Sequence, residues 1–148
     1  MSGIKEAAGE ALPVLGTKIG TCSSTPLISG AIPVSGVDQV LCVFQTGDMA
    51  AETIDFKVQT VDSDGTSNAA DLKAATQLAA HASNNDNKVV VINIRQDDLI
   101  ASGKKHIRMY GVTGNTTGGT CCFTAVGVGA KYGPGSDNDS SAVLQIKL

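Results

Sequence analysis

Apolar and polar residues alternate with a period of two through most of the chain. The clearest case is Ile54–Val61, where Ile54, Phe56 and Val58 share one face and Asp55, Lys57 and Gln59 share the other. That pattern predicts an antiparallel strand with one face in a core and one in water. A tight turn, Asp62-Ser63-Asp64-Gly65, follows, and a second β-rich run, Val89-Val90-Val91-Ile92-Asn93-Ile94-Arg95, comes later. Further strands are expected at about 17–23, 27–34, 39–45, 107–113 and 120–132. In the stretch 39–45, Val40, Cys42 and Phe44 face one way while Leu41 and Val43 face the other. Apolar side chains on both faces predict a strand covered on both sides, one of them by a partner.

Between these strands the punctuation is polar. Residues 114–119 read as a hairpin loop, Gly133-Pro134-Gly135 as a stop, and 136–141 as an acidic polar loop. The segment 69–81 fits two periods: Leu72, Ala75 and Leu78 or Ala79 fall on one helical face, yet Leu72, Ala74, Thr76 and Leu78 also alternate. Its place between two strong strands favours the extended form. Gln96-Asp97-Asp98-Leu99-Ile100 reads as a single helical turn with an acidic start, broken by Gly103. The expected fold is therefore all-β, an antiparallel β-sandwich of jelly-roll-like type over residues 17–135, with an N-terminal arm (1–16) and a C-terminal tail (136–148).

Composition narrows the core. The chain has 148 residues, enough for one domain that buries a proper core. With three Phe, two Tyr and no Trp, that core must be largely aliphatic. A net charge of −3 gives no electrostatic case for nucleic acid, and the one basic cluster, Lys104-Lys105-His106 with Arg108, reads as a solvated strand entry. No apolar run reaches the length of a membrane span, and residues 1–10 hold no secretory h-region, so the chain reads as made in the cytoplasm.

Candidate chemistry is sparse, and no catalytic, cofactor-binding or metal residue is assigned. Cys22, Cys42, Cys121 and Cys122 form no Cys-x-x-Cys pair, and adjacent Cys121 and Cys122 would point to opposite faces of a strand. They read as buried, reduced thiols. Neither His81 nor His106 has a nucleophile at a telling spacing. Asp62-x-Asp64-Gly65 opens like a calcium loop but lacks its later acidic ligands, and Gly127-x-Gly129-x-x-x-Gly133 has the wrong spacing for a dinucleotide site. Aliphatic residues in the two end segments, Ile4, Leu12, Val14, Leu15, Val143, Leu144 and Ile146, are candidate partner contacts, together with Leu41 and Val43.

Three local patterns carry a resemblance: Lys57-Val58-Gln59, then Asp64-Gly65-Thr66 after the turn, then His106-Ile107-Arg108. In this order, over roughly residues 37–134, the chain resembles small virion proteins of tailed bacteriophages, of the head decoration or cement type. It departs from them in having Ser67 and Asn68 where a Trp often follows the turn. The resemblance implies a non-enzymatic structural role on the virion exterior. The partner would be the major capsid protein, and the chain would act as a dimer or trimer that ties capsid subunits together without cofactor, nucleic acid or membrane. Two other classes stay open. A carbohydrate-binding or adhesion module would need exposed aromatics beyond Tyr110 and Tyr132, and a small hydrolase would need a nucleophile with its base.

Overall fold

A computed structural model describes residues 13–50, 52–80, 85–114 and 116–129. Among them lie nine strands, β1 (Val14–Cys22), β2 (Leu27–Ile28), β3 (Ile32–Pro33), β4 (Gln39–Met49), β5 (Ile54–Val61), β6 (Ala70–Ala74), β7 (Val89–Arg95), β8 (His106–Thr113) and β9 (Gly119–Val128), and one helical turn, α1 (Gln96–Ile100). One sheet has the order β1-β9-β4-β7, and the other β2-β8-β5-β6 with β3 also on β8. Every pairing is antiparallel. Counting β2 and β3 as two pieces of one strand, the chain crosses between sheets at almost every connection. That is the jelly-roll form of the β-sandwich.

The alternation read in the sequence decides which side chains meet between the sheets. Phe44 from β4, Phe123 from β9 and Phe56 from β5 are fully or almost fully buried. Their ring centroids lie 5.0, 4.9 and 5.8 Å apart, one pair stacked and two edge-on, the arrangements that ring quadrupoles favour. Gly111 of β8 lies directly beneath: a Cβ there would come within 2.7 Å of Phe123 and 3.0 Å of Phe56. Any side chain at 111 would push the rings apart. Around this trio pack Val40, Cys42, Ile54, Val58, Ile92, Ile94, Ile107 and Met109.

The segment 69–81 is extended as far as it is described. β6 pairs with β5, and Leu78 forms an isolated bridge with Ile54. Helix propensity loses here because Leu72, Ala75 and Leu78 gain more by packing on the core edge. The turn at 96–100 is helical as expected. Arg95 N–H donates to Asp98 Oδ2 at 2.8 Å, and Leu99 is the buried anchor.

Three local expectations are corrected. The single strand expected at 27–34 is broken into β2 and β3. Ser29 interrupts it by donating its N–H to Met109 O (3.0 Å) and accepting Met109 N–H on its own hydroxyl (2.8 Å). The strand expected at 39–45 continues to Met49, past a register shift between Thr46 and Met49. Finally, β1 begins at Val14, within the stretch read as an arm, and Leu15 is buried in the core. A bulge between Val14 and Gly16 puts both Leu15 and Gly16 on the inner side, so Leu15 is not an exposed partner contact.

Candidate functional site

Residues paired across an antiparallel ladder share a face, so the register tells what each sheet shows to solvent. On the four-stranded sheet, one row across the outer face is Ile19–Cys122–Gln45–Val89, the next is Thr17–Thr124–Val43–Val91, and the third is Val14–Val126–Leu41–Asn93. None of these twelve side chains is charged. Ile19, Val89 and Val91 retain 69%, 54% and 56% of their full exposure, and Leu41, Val43, Cys122 and Val126 are half-buried. With strands about 4.8 Å apart and residues about 3.4 Å apart along them, the patch covers roughly 400 Å². Eight of the twelve are apolar and four (Thr17, Gln45, Thr124 and Asn93) are polar without charge; a patch of this size matches the largest on an ordinary monomer, which is often functional, and that makes this face the candidate site.

Of the residues singled out in the sequence, Leu41 and Val43 stand at the centre of this face and Val14 at its margin. Leu15 lies in the core instead. Ile4, Leu12, Val143, Leu144 and Ile146 fall outside the described residues. Ile19, Val89, Val91 and Val126 complete the patch, and the sequence pattern alone does not single them out. Alternation within 17–23 and 89–95 was the available signal, but only the register shows that those positions share a face with Leu41 and Val43.

The thiols occupy both sides of the same sheet. Cys22 and Cys121 are buried and hydrogen-bonded to each other. That bond lowers the Cys22 pKa and, with burial, raises that of Cys121. The Cys121 thiol also lies 3.9 Å from Met49 Sδ. Burial pushes Cys42 up to about 12. All four cysteines are free thiols, and Cys122, next to Cys121, lies half-buried on the outer face. Cys42 and Cys121, buried and held protonated in this way, make poor nucleophiles.

Elsewhere the polar groups are used structurally. An open groove is lined by Val61, Asp62, Ser63, Lys104, Lys105 and His106. The Asp62 carboxylate there is bonded to Lys104 and to Asn68 Nδ2 (2.6 Å). No hydrogen bond among the described residues joins Ser63 to His106, which line the same groove. Asp64 accepts the N–H groups of Thr66 (2.9 Å) and Ser67 (2.8 Å) together with the Ser67 hydroxyl, which fixes the turn and brings the Asp64 pKa down to about 2. Gly65 completes the turn at φ 78°. Among the described residues, no group of three or more His, Cys, Asp or Glu side chains could hold a metal ion. Tyr110, the one tyrosine among the described residues, has the Lys57 ammonium 4.6 Å from its ring centroid, so that ring face is already taken.

No family model matches the chain, and no curated protein does. Among solved structures it is similar to a Bacillus endospore appendage protein of a family described as forming disulfide-linked pili (TM-score 0.46, 10% identity, 82% of this chain and 91% of that one). It is also similar to a chain from work on CBM4 structure and function (TM-score 0.47, 12% identity, 86% and 83%). A third similarity is to a chain in the structure of infectious bursal disease virus, Gt strain (TM-score 0.40, 9% identity, 86% of this chain and 35% of that one). At these identities they are similarities of β architecture alone.

Proposed function

We propose that this chain is a virion structural protein of the capsid decoration or cement type, bound to the outer surface of a tailed-phage capsid and bridging neighbouring major capsid protein subunits, with no catalytic turnover. The observation that carries the reading is the uncharged apolar outer face centred on Leu41 and Val43. Its three most exposed residues, Ile19, Val89 and Val91, each keep half or more of their surface in water, so covering them gains about 1 kcal/mol apiece. Losing the free tumbling of one subunit costs at least about 4 kcal/mol, so a single copy would hold weakly through these residues alone. A repeated lattice removes that difficulty: an oligomer engaging several equivalent positions gains through effective concentration what each contact lacks. The resemblance to decoration proteins in the 57–59, 64–66 and 106–108 segments points the same way.

The test is co-sedimentation with shells assembled from a tailed-phage major capsid protein. Leu41→Asp and Val43→Lys place a charge in the middle of the face while leaving the inner side of β4 untouched. The expected result is loss of shell binding by both variants with the thermal transition kept. If both variants pellet with shells as the parent protein does, the reading is wrong. A glycan array probed with the same parent protein gives the outcome for the adhesion class.

A further inference from the structure

Sheet edges expose unpaired backbone groups, and proteins ordinarily protect them with short strands, charges, prolines or bulges. Most edges here follow that rule. β2 and β3 have two residues each, β6 has five with Asp71 and Lys73 among them, and β1 carries Lys18, two glycines and a bulge. β7 follows it least: of its seven residues, the six from Val89 to Ile94 carry no charge, proline or glycine, and only Arg95 at its end is charged.

The ladder shows which of its groups are open. Thr46 N–H donates to Lys88 O at 2.9 Å, so Lys88 and, two by two, residues 90, 92 and 94 turn their backbone groups toward β4. Residues 89, 91, 93 and 95 turn theirs outward. Two of those outward groups are taken, Asn93 O by the Lys73 ammonium (2.9 Å) and Arg95 N–H by Asp98 (2.8 Å). The N–H and C=O of Val89 and Val91 and the N–H of Asn93 have no partner among the described residues. Val89 and Val91 are also the residues whose side chains stand exposed on the outer face.

We propose that β7 is a strand-addition edge whose occupant is β7 of a second copy of this chain, paired antiparallel about Val91. The stretch is complementary to itself. Val91 meets Val91 with both backbone bonds exchanged, and Val89 meets Asn93, whose open N–H faces the Val89 carbonyl. Lys88 comes opposite Ile94 and Arg95 opposite Asn87, so no like charges oppose each other across the seam. The Lys88 end of each copy instead lies toward the end where Asp97 and Asp98 of the other open α1, a complementary arrangement of charge. The product is a continuous eight-stranded sheet that joins the two apolar outer faces into one. An edge contact about five residues long buries a few hundred Å² per copy, below the roughly 800 Å² per partner of a stable dimer. The dimer is therefore weak and concentration-dependent.

The inference rests on the ladder geometry and not on the shell reading, and its test needs no shell. Sedimentation velocity from about ten micromolar to about half a millimolar should show a monomer passing into a dimer, in the range where weak association is read. Amide exchange at Val91 should slow over the same range. Val91→Pro removes only an outward N–H, so the β4–β7 ladder keeps its bonds, and Val91→Lys places a charge at the seam. Both variants should stay monomeric at every concentration, with Val91→Lys keeping the parent thermal transition even if the proline variant loses some stability. A parent protein that stays monomeric throughout overturns the proposal, as does a dimer that persists in both variants. So does a Val91 amide protected in the monomer and released by deleting 142–148, because the chain's own tail would then be the occupant. Lost shell binding by Val43→Lys with the dimer intact, or the reverse, separates this proposal from the function proposed above.

Discussion

The two sheets of the sandwich bury similar inner faces and show opposite outer ones. On the five-stranded sheet the outer positions are tied to one another. Asp71 takes both the Lys57 ammonium (2.9 Å) and Gln59 Nε2 (2.6 Å), and Arg108 Nε donates to Gln59 Oε1 (2.8 Å). Arg108 also reaches Gly65 O (3.0 Å), Gln77 donates to Asp55 (2.8 Å), and Lys57 caps the Tyr110 ring. The four-stranded sheet offers Ile19, Val89, Val91, Leu41 and Val43 with no charge among its three rows. A polar face whose bonds are internally satisfied is at rest in water. An apolar face of similar extent is not, and its free energy falls only when something covers it.

The largest effect comes from removing what the two sheets share. Phe123→Ala deletes the ring that touches both Phe44 and Phe56 above Gly111 and leaves a cavity between the sheets. The expected loss is about 3–5 kcal/mol of folding free energy, read from urea unfolding. A loss below about 1 kcal/mol would mean that the sheets are not held together at this trio.

A second variant pair turns the comparison into a measurement. Val43→Lys, on the apolar face, should weaken shell binding by about a hundredfold, equivalent to about 2.7 kcal/mol. Val112→Lys, half-buried on the polar face beside Asp55, should leave shell binding within about twofold, a difference worth under about 0.5 kcal/mol. Equal losses from both substitutions would erase the distinction between the faces.

A third variant probes the polar network. Gln59 is buried to 8% exposure with Asp71 on one end of its amide and Arg108 on the other. Arg108→Ala leaves the Gln59 carbonyl without its donor and frees Gly65 O, for an expected cost of about 1–2 kcal/mol. Equilibrium denaturation of Arg108→Ala and Gln59→Ala, alone and combined, should give less than the sum of the two single losses, because the residues share one network. Additive losses would show that the bonds act independently.

How far this organisation could be read from the chain depended on the range of the interactions involved. Strand Ile54–Val61, the turn at 62–65 and the short helix at 96–100 depend on residues two to four apart, so the local pattern is enough to find them. The Leu41–Val43 side of β4 was legible for a related reason, since a strand apolar on both faces is unusual wherever it pairs. The rest depends on pairing across long separations. Nothing local to Ile19 says that it lies in line with Cys122 and Val89, and nothing local to Leu15 says that a bulge turns it inward. The break at Ser29 likewise comes from Met109, eighty residues away. The place of β7 at the sheet edge, as the described residues pair, was hidden too, because a run of Val and Ile looks the same in a central strand as at an edge.

The smallest expected effect is on acid stability, and it too separates the two sides of the molecule. Asp62, Asp64 and Asp71 all belong to the β5–β6 side. Asp62 is lowered first by its bond to Lys104, Asp64 first by the Ser67 hydroxyl, and Asp71 first by Gln59. For each, the folded protein holds the ionised carboxylate more strongly than the unfolded chain does. Their contribution is therefore fully present above the usual carboxylate value of 3.8 and is lost as pH falls through the lowered values, down to about 2 for Asp64. No carboxylate stands in the three rows of the apolar face, so acid should reach the turn at 62–67 first. Because Asp64 is exposed and Asp62 partly so, the effect should be modest and weakened by salt. Asp64→Asn should lower the thermal midpoint at pH 6, and the gap from the parent should close as pH approaches 2. Midpoints measured at half-unit steps from pH 6 to pH 2 check this, and two curves that stay parallel would mean that the Asp64 carboxylate does not hold the turn.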